Sequence, residues 1–271
     1  MPVMSVAGRS IHYREAGRGP LVIALHASSS HSGQWKPFME AVQDRFHVIA
    51  PDLHGYGRSD PLPDDGRSFH AHDAGIAEVL IRRDGPAHIV GHSLGGAIGL
   101  AVARRSVAVA SLTMIEPVLF GLLSEAGHPG GNDPNVVHEF IIRTLREGDL
   151  RKAARGFVAF WSGEEAFDAM PPHVQDYVTA TIERVAADFA GLLPDSDDPL
   201  TIGDAARLTV PVHLICGGET RPSARAIVDL LSSTVPGAVR TDVPGAAHMA
   251  AATDPGLIIP HIAAFLDANA S

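Results

Sequence analysis

One cysteine, Cys216, in 271 residues leaves no internal disulfide to form. A disulfide-stapled scaffold is excluded, and a reducing compartment is the expectation. Positive charge is also scarce: 21 Lys and Arg stand against 31 Asp and Glu, for a formal charge of −10, and no basic cluster occurs. That argues against nucleic acid or an anionic membrane surface as a partner. No run of about 18 apolar residues is present. The opening MPVMSVAGRS has neither the apolar stretch nor the cleavage site of a secretion signal, so a soluble cytoplasmic protein is expected. His70 and His72 in FHAHD have no third ligand at metal-site spacing, so no metal and no cofactor are expected. Solenoid-length repeats are missing too.

What is present is apolar and periodic. Hydrophobic residues make up 45% of the chain, enough for one large domain with a buried core. LVIAL (21–25), HVIAP (47–51), AHIVG (87–91), SLTMIE (111–116) and VHLIC (212–216) are near-continuous apolar runs bounded by Gly, Pro or polar residues. Strands buried on both faces read this way. Helical patterns at 71–83, 95–105, 222–234 and 255–268 alternate with them, and VMSVAG with SIHYREAG reads as an antiparallel hairpin. The rhythm predicts an α/β fold: a mostly parallel, doubly wound sheet covered on both faces. Residues 117–205 break it, with amphipathic stretches at 134–147, 149–162 and 171–191 and no convincing strand. The expected organisation is a core domain from 1–116 and 206–271, with 117–205 as a helical cap or lid.

The segment AHIVGHSLGGAIGLAVARR carries the chemistry. A buried strand runs into Gly91-His92-Ser93-Leu94-Gly95, and a small-residue helix follows at once. In that context G-x-S-x-G is a nucleophile elbow: glycines relieve collisions at a tight turn, and the serine oxygen projects over the strand ends. The backbone N–H of Leu94 is then placed to meet negative charge developing on a substrate oxygen.

With LHASSS, PDLHGYGRSD, GHSLGG and VPGAAHM in this order, the chain resembles the α/β-hydrolase family over nearly its whole length. The resemblance implies a second oxyanion donor in the loop after LVIAL, at Ser28. Members mostly carry His-Gly where this chain has His26-Ala27, which leaves the loop's shape open. The resemblance also implies the general base, His248, in the loop before the last helix. PDLHGYGRSD reads as a scaffold turn.

A carboxylate should orient that histidine, and here the chain departs from the family. Most members place an aspartate after the seventh strand, in a loop matching Gly217-Gly218-Glu219-Thr220; this loop has only Glu219. Glu116, the other candidate, ends an apolar strand and is followed by Pro117. A carboxylate so close to a buried strand needs a partner. Certain haloalkane dehalogenases and zearalenone lactonases, which this arrangement resembles, carry their acid after the sixth strand. Glu116 is favoured over Glu219.

The substrate has no signature. Trp35, Phe120 and Trp161 are the candidate lining residues of an apolar pocket. A serine at the elbow implies an acyl-enzyme, so the expected partner is a small-molecule ester or lactone. Carbon–carbon bond hydrolysis, perhydrolase chemistry and a non-turnover ligand receptor remain as alternatives, and oligomeric state is left open.

Overall fold

The computed structural model describes residues 1–270 except 64, 107, 194, 195 and 197. In chain order its principal elements are β1 (Val3–Val6), β2 (Arg9–Ala16), β3 (Leu21–Leu25), α1 (Lys36–Val42), β4 (His47–Pro51), α2 (Phe69–Asp84), β5 (Ala87–His92), α3 (Leu94–Ala103) and β6 (Val109–Ile115). The insertion follows with α4 (Phe120–Glu125), α5 (Asp133–Arg146), α6 (Leu150–Ser162), α7 (Ala166–Ala169) and α8 (Pro172–Leu192). The chain closes with α9 (Ile202–Ala206), β7 (Val212–Gly217), α10 (Pro222–Thr234), β8 (Val239–Val243), α11 (Ala250–Thr253) and α12 (Pro255–Ala268).

Among the described residues the sheet has eight strands in the order β1-β2-β4-β3-β5-β6-β7-β8. Pairing is antiparallel for β1–β2 and β2–β4 and parallel from β4 to β8. Side chains alternate along each strand, so the continuous apolar runs supply two cores rather than one. Ile23, Leu25, Ile89, Leu112, Met114 and Leu214 pack on one face under α2, α3 and α10. Val22, Ala24, Val48, Val90, Ile115 and Ile215 pack on the other, against α1 and α12. The chain leaves β3 for β4 on one side and later places β5 on the other. The carboxyl ends of β3 and β5 therefore flank the crevice where ligands bind in open α/β sheets.

Between β6 and β7 no strand occurs among the described residues. Val137, Ile141, Phe157, Phe167, Ile182 and Val185 form a third core inside the insertion. Two of its helices have clear local reasons to begin or end. Pro134 lies in the first turn of α5, the Asp149 side chain accepts from Lys152 N–H at 2.9 Å to cap α6, and Gly163 at φ 92 ends it. No helix among the described residues is long and apolar enough to cross a membrane.

Several boundaries differ from expectation, two of them beside the site. The sixth strand begins at Val109 and ends at Ile115, so Glu116 lies just outside it with φ 49. The helix expected over 95–105 starts at Leu94 and stops at Ala103.

Candidate active site

The elbow is built by steric necessity. Ser93 joins β5 to α3 with φ 55 and ψ −113, a conformation that side chains rarely adopt. A Cβ on Gly91 would sit 2.1 Å from Gly95 O, and one on Gly95 would sit 2.1 Å from Leu25 O. Only glycine permits this approach of turn to strand. Ser93 N–H donates to Ile115 O at 2.9 Å, which fixes the turn against the end of β6.

Pairing of β5 with β6 sets Gly91 beside Met114 and His92 beside Ile115, so the residues that follow, Ser93 and Glu116, emerge side by side. His248 reaches over both from the loop after β8. Its Nε2 lies 3.0 Å from Ser93 Oγ, and its Nδ1 lies 3.2 Å from Glu116 Oε2. All three side chains are buried. Glu116 is held from three sides: Gly217 N–H donates to Oε1 at 2.5 Å, the Thr220 hydroxyl donates to Oε2, and His248 Nδ1–H donates to the same oxygen. Burial alone would raise this carboxyl. The hydrogen bond and charge of His248, then Thr220 and Gly217, outweigh it and hold the group below its ordinary range. Gly217 matters here for space, because a Cβ on it would lie 2.3 Å from Ala246 O and 3.3 Å from Glu116 Oε1.

Glu219 is not part of this arrangement. Its backbone N–H bonds to Ala246 O at 2.9 Å while its side chain is exposed. The loop after β7 thus contributes donors to Glu116, through Gly217 and Thr220, and no carboxylate of its own.

His92 points away from the serine and ties two loops together. Its Nε2–H donates to the His248 carbonyl at 2.8 Å, and its Nδ1 accepts from Gln34 Nε2 at 3.1 Å. Burial pushes His92 down to about 3, so the ring is neutral and keeps this pattern. His26 acts similarly in the first loop: Nδ1–H donates to Ala27 O at 2.8 Å, and Nε2 accepts from Leu53 N–H at 3.0 Å. Burial lowers it to about 4. Ala27 occupies the glycine slot without strain; the left-handed residue of this loop is Ser29, at φ 54. The backbone N–H groups of Ser28 and Leu94 have no hydrogen-bond acceptor among the described residues. PDLHGYGRSD is a turn, as expected, and its Asp52 accepts from Ser32 N–H at 2.7 Å and Arg58 N–H at 3.1 Å.

Above Ser93 lies a cavity of about 660 Å³. Phe120, Phe157, Trp161, Val174 and Phe189 supply its apolar wall from the insertion. Trp35, expected to line it, does not. That side chain is 2% exposed and packs edge-on against Phe38, ring centroids 5.7 Å apart, in the core between α1 and the sheet. As a large ring one turn beyond the oxyanion loop, it fills space under the sheet instead. His70 and His72 are likewise structural, with Nε2 atoms 2.7 Å from Asp198 O and 2.9 Å from Asp65 Oδ1. Among the described residues no group of His, Cys, Asp and Glu could hold a metal ion.

Two features have no counterpart in the sequence reading. Trp161 stacks on His248, ring centroids 3.7 Å apart and planes 12° from parallel, so the indole covers one face of the imidazole. Arg221 holds that helix end in place, donating to Phe160 O at 2.8 Å with its guanidinium over the Phe160 ring. The second is Asp188 on α8, 1% exposed at the cavity wall. Its Oδ2 accepts from Ser28 Oγ at 2.8 Å and from the Tyr56 hydroxyl, and Oδ1 pairs with Arg184. Burial pushes Asp188 up to about 6, against the opposing pull of Arg184, Tyr56 and Ser28. A signal was available: Tyr177, Thr181, Arg184 and Asp188 recur at helical spacing along one face of α8.

The chain is 41% identical over 221 residues to a pimeloyl-[acyl-carrier protein] methyl ester esterase of Methylococcus capsulatus, covering 73% of this chain and 81% of that one. It is 26% identical over 281 residues to a 2-(acetamidomethylene)succinate hydrolase of Mesorhizobium japonicum, covering 96% and 92%. Among solved structures, the enol-lactonase from Burkholderia xenovorans LB400 superimposes with a TM-score of 0.80 at 19% identity, covering 98% of this chain and 100% of that one. A family model described as alpha/beta hydrolase family matches residues 22–259, most of the chain. A glycine-flanked serine at a strand-to-helix elbow, a histidine above it and this match together show that the chain belongs to the alpha/beta hydrolase family.

Proposed function

We propose that this hydrolase cleaves an uncharged carboxylic ester or lactone through an acyl-enzyme on Ser93. The observation that carries the reading is the continuous relay from Ser93 Oγ to His248 at 3.0 Å and on to Glu116 at 3.2 Å, at the floor of an apolar cavity. His248 Nε2 takes the hydroxyl proton as Oγ attacks the carbonyl carbon, while Glu116 holds the ring and balances its charge. The carbonyl oxygen, now negative, is received by the free N–H groups of Leu94 and Ser28. Collapse expels the alkoxide, which takes the proton from His248. Water then repeats the sequence and frees the acid. With a lactone, the leaving alkoxide stays tethered to the acyl group.

The insertion serves as the cap, supplying most of the apolar wall. Among the described residues that line the cavity there is no Lys or Arg, and Asp188 is the acidic one. A substrate carboxylate would lose its hydration there without gaining a cation. The esterase relative is named for a methyl ester, which fits this chemistry.

A fluorophosphonate probe is expected to label Ser93, and steady-state kinetics on p-nitrophenyl butyrate to show multiple turnover. The monosuccinate ester of the same phenol should fall at least 10-fold lower in kcat/KM. An unlabelled Ser93 overturns the proposal, and equal rates on both esters overturn its charge preference.

Trp161 adds to the same chemistry. An indole face over an imidazole that becomes cationic in the transition state is worth about 0.5–2 kcal/mol, or roughly 2- to 30-fold in rate. Trp161→Leu, which keeps the apolar wall, is expected to lower kcat by that factor. Unchanged kcat would assign the ring to packing alone.

A further inference from the structure

The run Ser28-Ser29-Ser30 is a half-buried turn whose polar groups are taken up by the insertion. Each serine is bound to a different residue on one face of α8. Ser28 Oγ donates to Asp188 Oδ2 at 2.8 Å, Ser29 Oγ lies 2.7 Å from Thr181 Oγ1, and Tyr177 OH donates to the Ser30 carbonyl at 2.7 Å. Positions 177, 181 and 188 fall on one helical stripe. Arg184, between them, anchors the stripe to the core: it pairs with Asp188, donates to Asp73 Oδ2 at 2.7 Å and donates to His54 O at 2.9 Å. Asp73 is held in turn by His54 Nδ1 at 2.8 Å. The ladder therefore starts from a buried, many-sided ion cluster and ends at the loop whose N–H faces the substrate oxygen.

Ser29 shows why such a ladder is needed. At φ 54 it occupies a backbone region that non-glycine residues rarely enter. Conformations of this kind persist only where surrounding contacts over-determine them. Here the determining contacts come from α8.

We propose that α8 sets the shape of the oxyanion loop, with Asp188 as a positioning residue that acts on the Ser28 N–H through the Ser28 hydroxyl. The proposal rests on Ser93 being the nucleophile. Asp188 transfers no proton and forms no bond to substrate; its carboxylate is filled by Ser28, Tyr56 and Arg184. The cap is then part of the catalytic geometry, because moving α8 moves a transition-state donor.

The test uses Ser28→Ala, Asp188→Asn and their double variant on p-nitrophenyl butyrate, with an alkylboronic acid as the transition-state analogue. Ser28→Ala keeps the backbone donor and removes only the tether. Expected for each single variant is a 10- to 100-fold loss in kcat, KM within threefold, and boronate affinity weakened by about the same factor as kcat. The double variant should be no worse than the worse single one, since both cut the same contact. Ser28→Thr, which restores a hydroxyl, should recover most of the loss. If Asp188→Asn fails to fold because Arg184 loses its partner, Thr181→Val takes its place with an effect on kcat of the same sense. Multiplicative losses in the double variant, or Ser28→Ala within twofold of wild type, overturn the proposal. Failure of the wild-type protein to take up fluorophosphonate overturns the nucleophile reading first, and this one with it.

Discussion

Glu116→Gln is expected to lower kcat on p-nitrophenyl butyrate about 10⁴-fold, while Glu219→Gln stays within a factor of two of wild type. The amide is nearly the size of the carboxylate, so the fold should survive and the loss should be chemical. In the native protein Oε2 accepts from His248 Nδ1–H, which leaves Nε2 unprotonated and facing Ser93 Oγ at 3.0 Å. The introduced amide would be turned by Gly217 N–H, a fixed donor that needs the oxygen at the Oε1 position, while the Thr220 hydroxyl can rotate to accept from the NH₂ at the Oε2 position. Its NH₂ then meets Nδ1, selects the wrong imidazole tautomer and cannot balance a charged ring, a defect worth about 10⁴ in serine hydrolases. Glu219 is exposed and outside this set of contacts. Near-wild-type turnover in Glu116→Gln together with a collapse in Glu219→Gln would sink the assignment.

Ser93→Ala and His248→Ala are each expected to reduce kcat by about 10⁵- to 10⁶-fold, and the double variant to be no slower than either. Their effects should not multiply, because the hydroxyl is a poor nucleophile without the imidazole and the imidazole has no proton to take without the hydroxyl. What remains should be turnover above buffer supported by the Leu94 and Ser28 amides alone. Single-turnover kinetics, with fluorophosphonate titration to exclude wild-type contamination, measures both quantities. Additive losses, or a Ser93→Ala protein that still builds an acyl intermediate, would contradict the relay.

Strands β3 to β7 are legible because each is a short apolar run buried on both faces, and LVIAL and HVIAP coincide with β3 and β4 residue for residue. Ser93 and Leu94 are legible because an elbow is a local motif, and Glu116 because a carboxylate at the end of an apolar strand needs company. Trp35 misleads. An aromatic residue after a functional loop looks the same in sequence whether it faces a cavity or the underside of a sheet, and here α1 takes it under. The tie between Ser28 and Asp188 spans 160 residues, so neither periodicity nor spacing reveals it. The stacking of Trp161 on His248 depends on how α6 lies across the sheet edge. That is decided by tertiary packing, including the Arg221 contacts to Phe160 and the burial of Phe157 and Val158 in the core of the insertion.

The two strand ends that carry Ser93 and Glu116 both hold non-glycine residues at positive φ, 55 and 49. Each such residue costs about 1–3 kcal/mol of folding free energy. The most reactive positions are therefore also among the least comfortable, and glycine would relax either one. Lineages screened for heat resistance alone would drift toward glycine there, and hardier descendants would lose their chemistry before their fold.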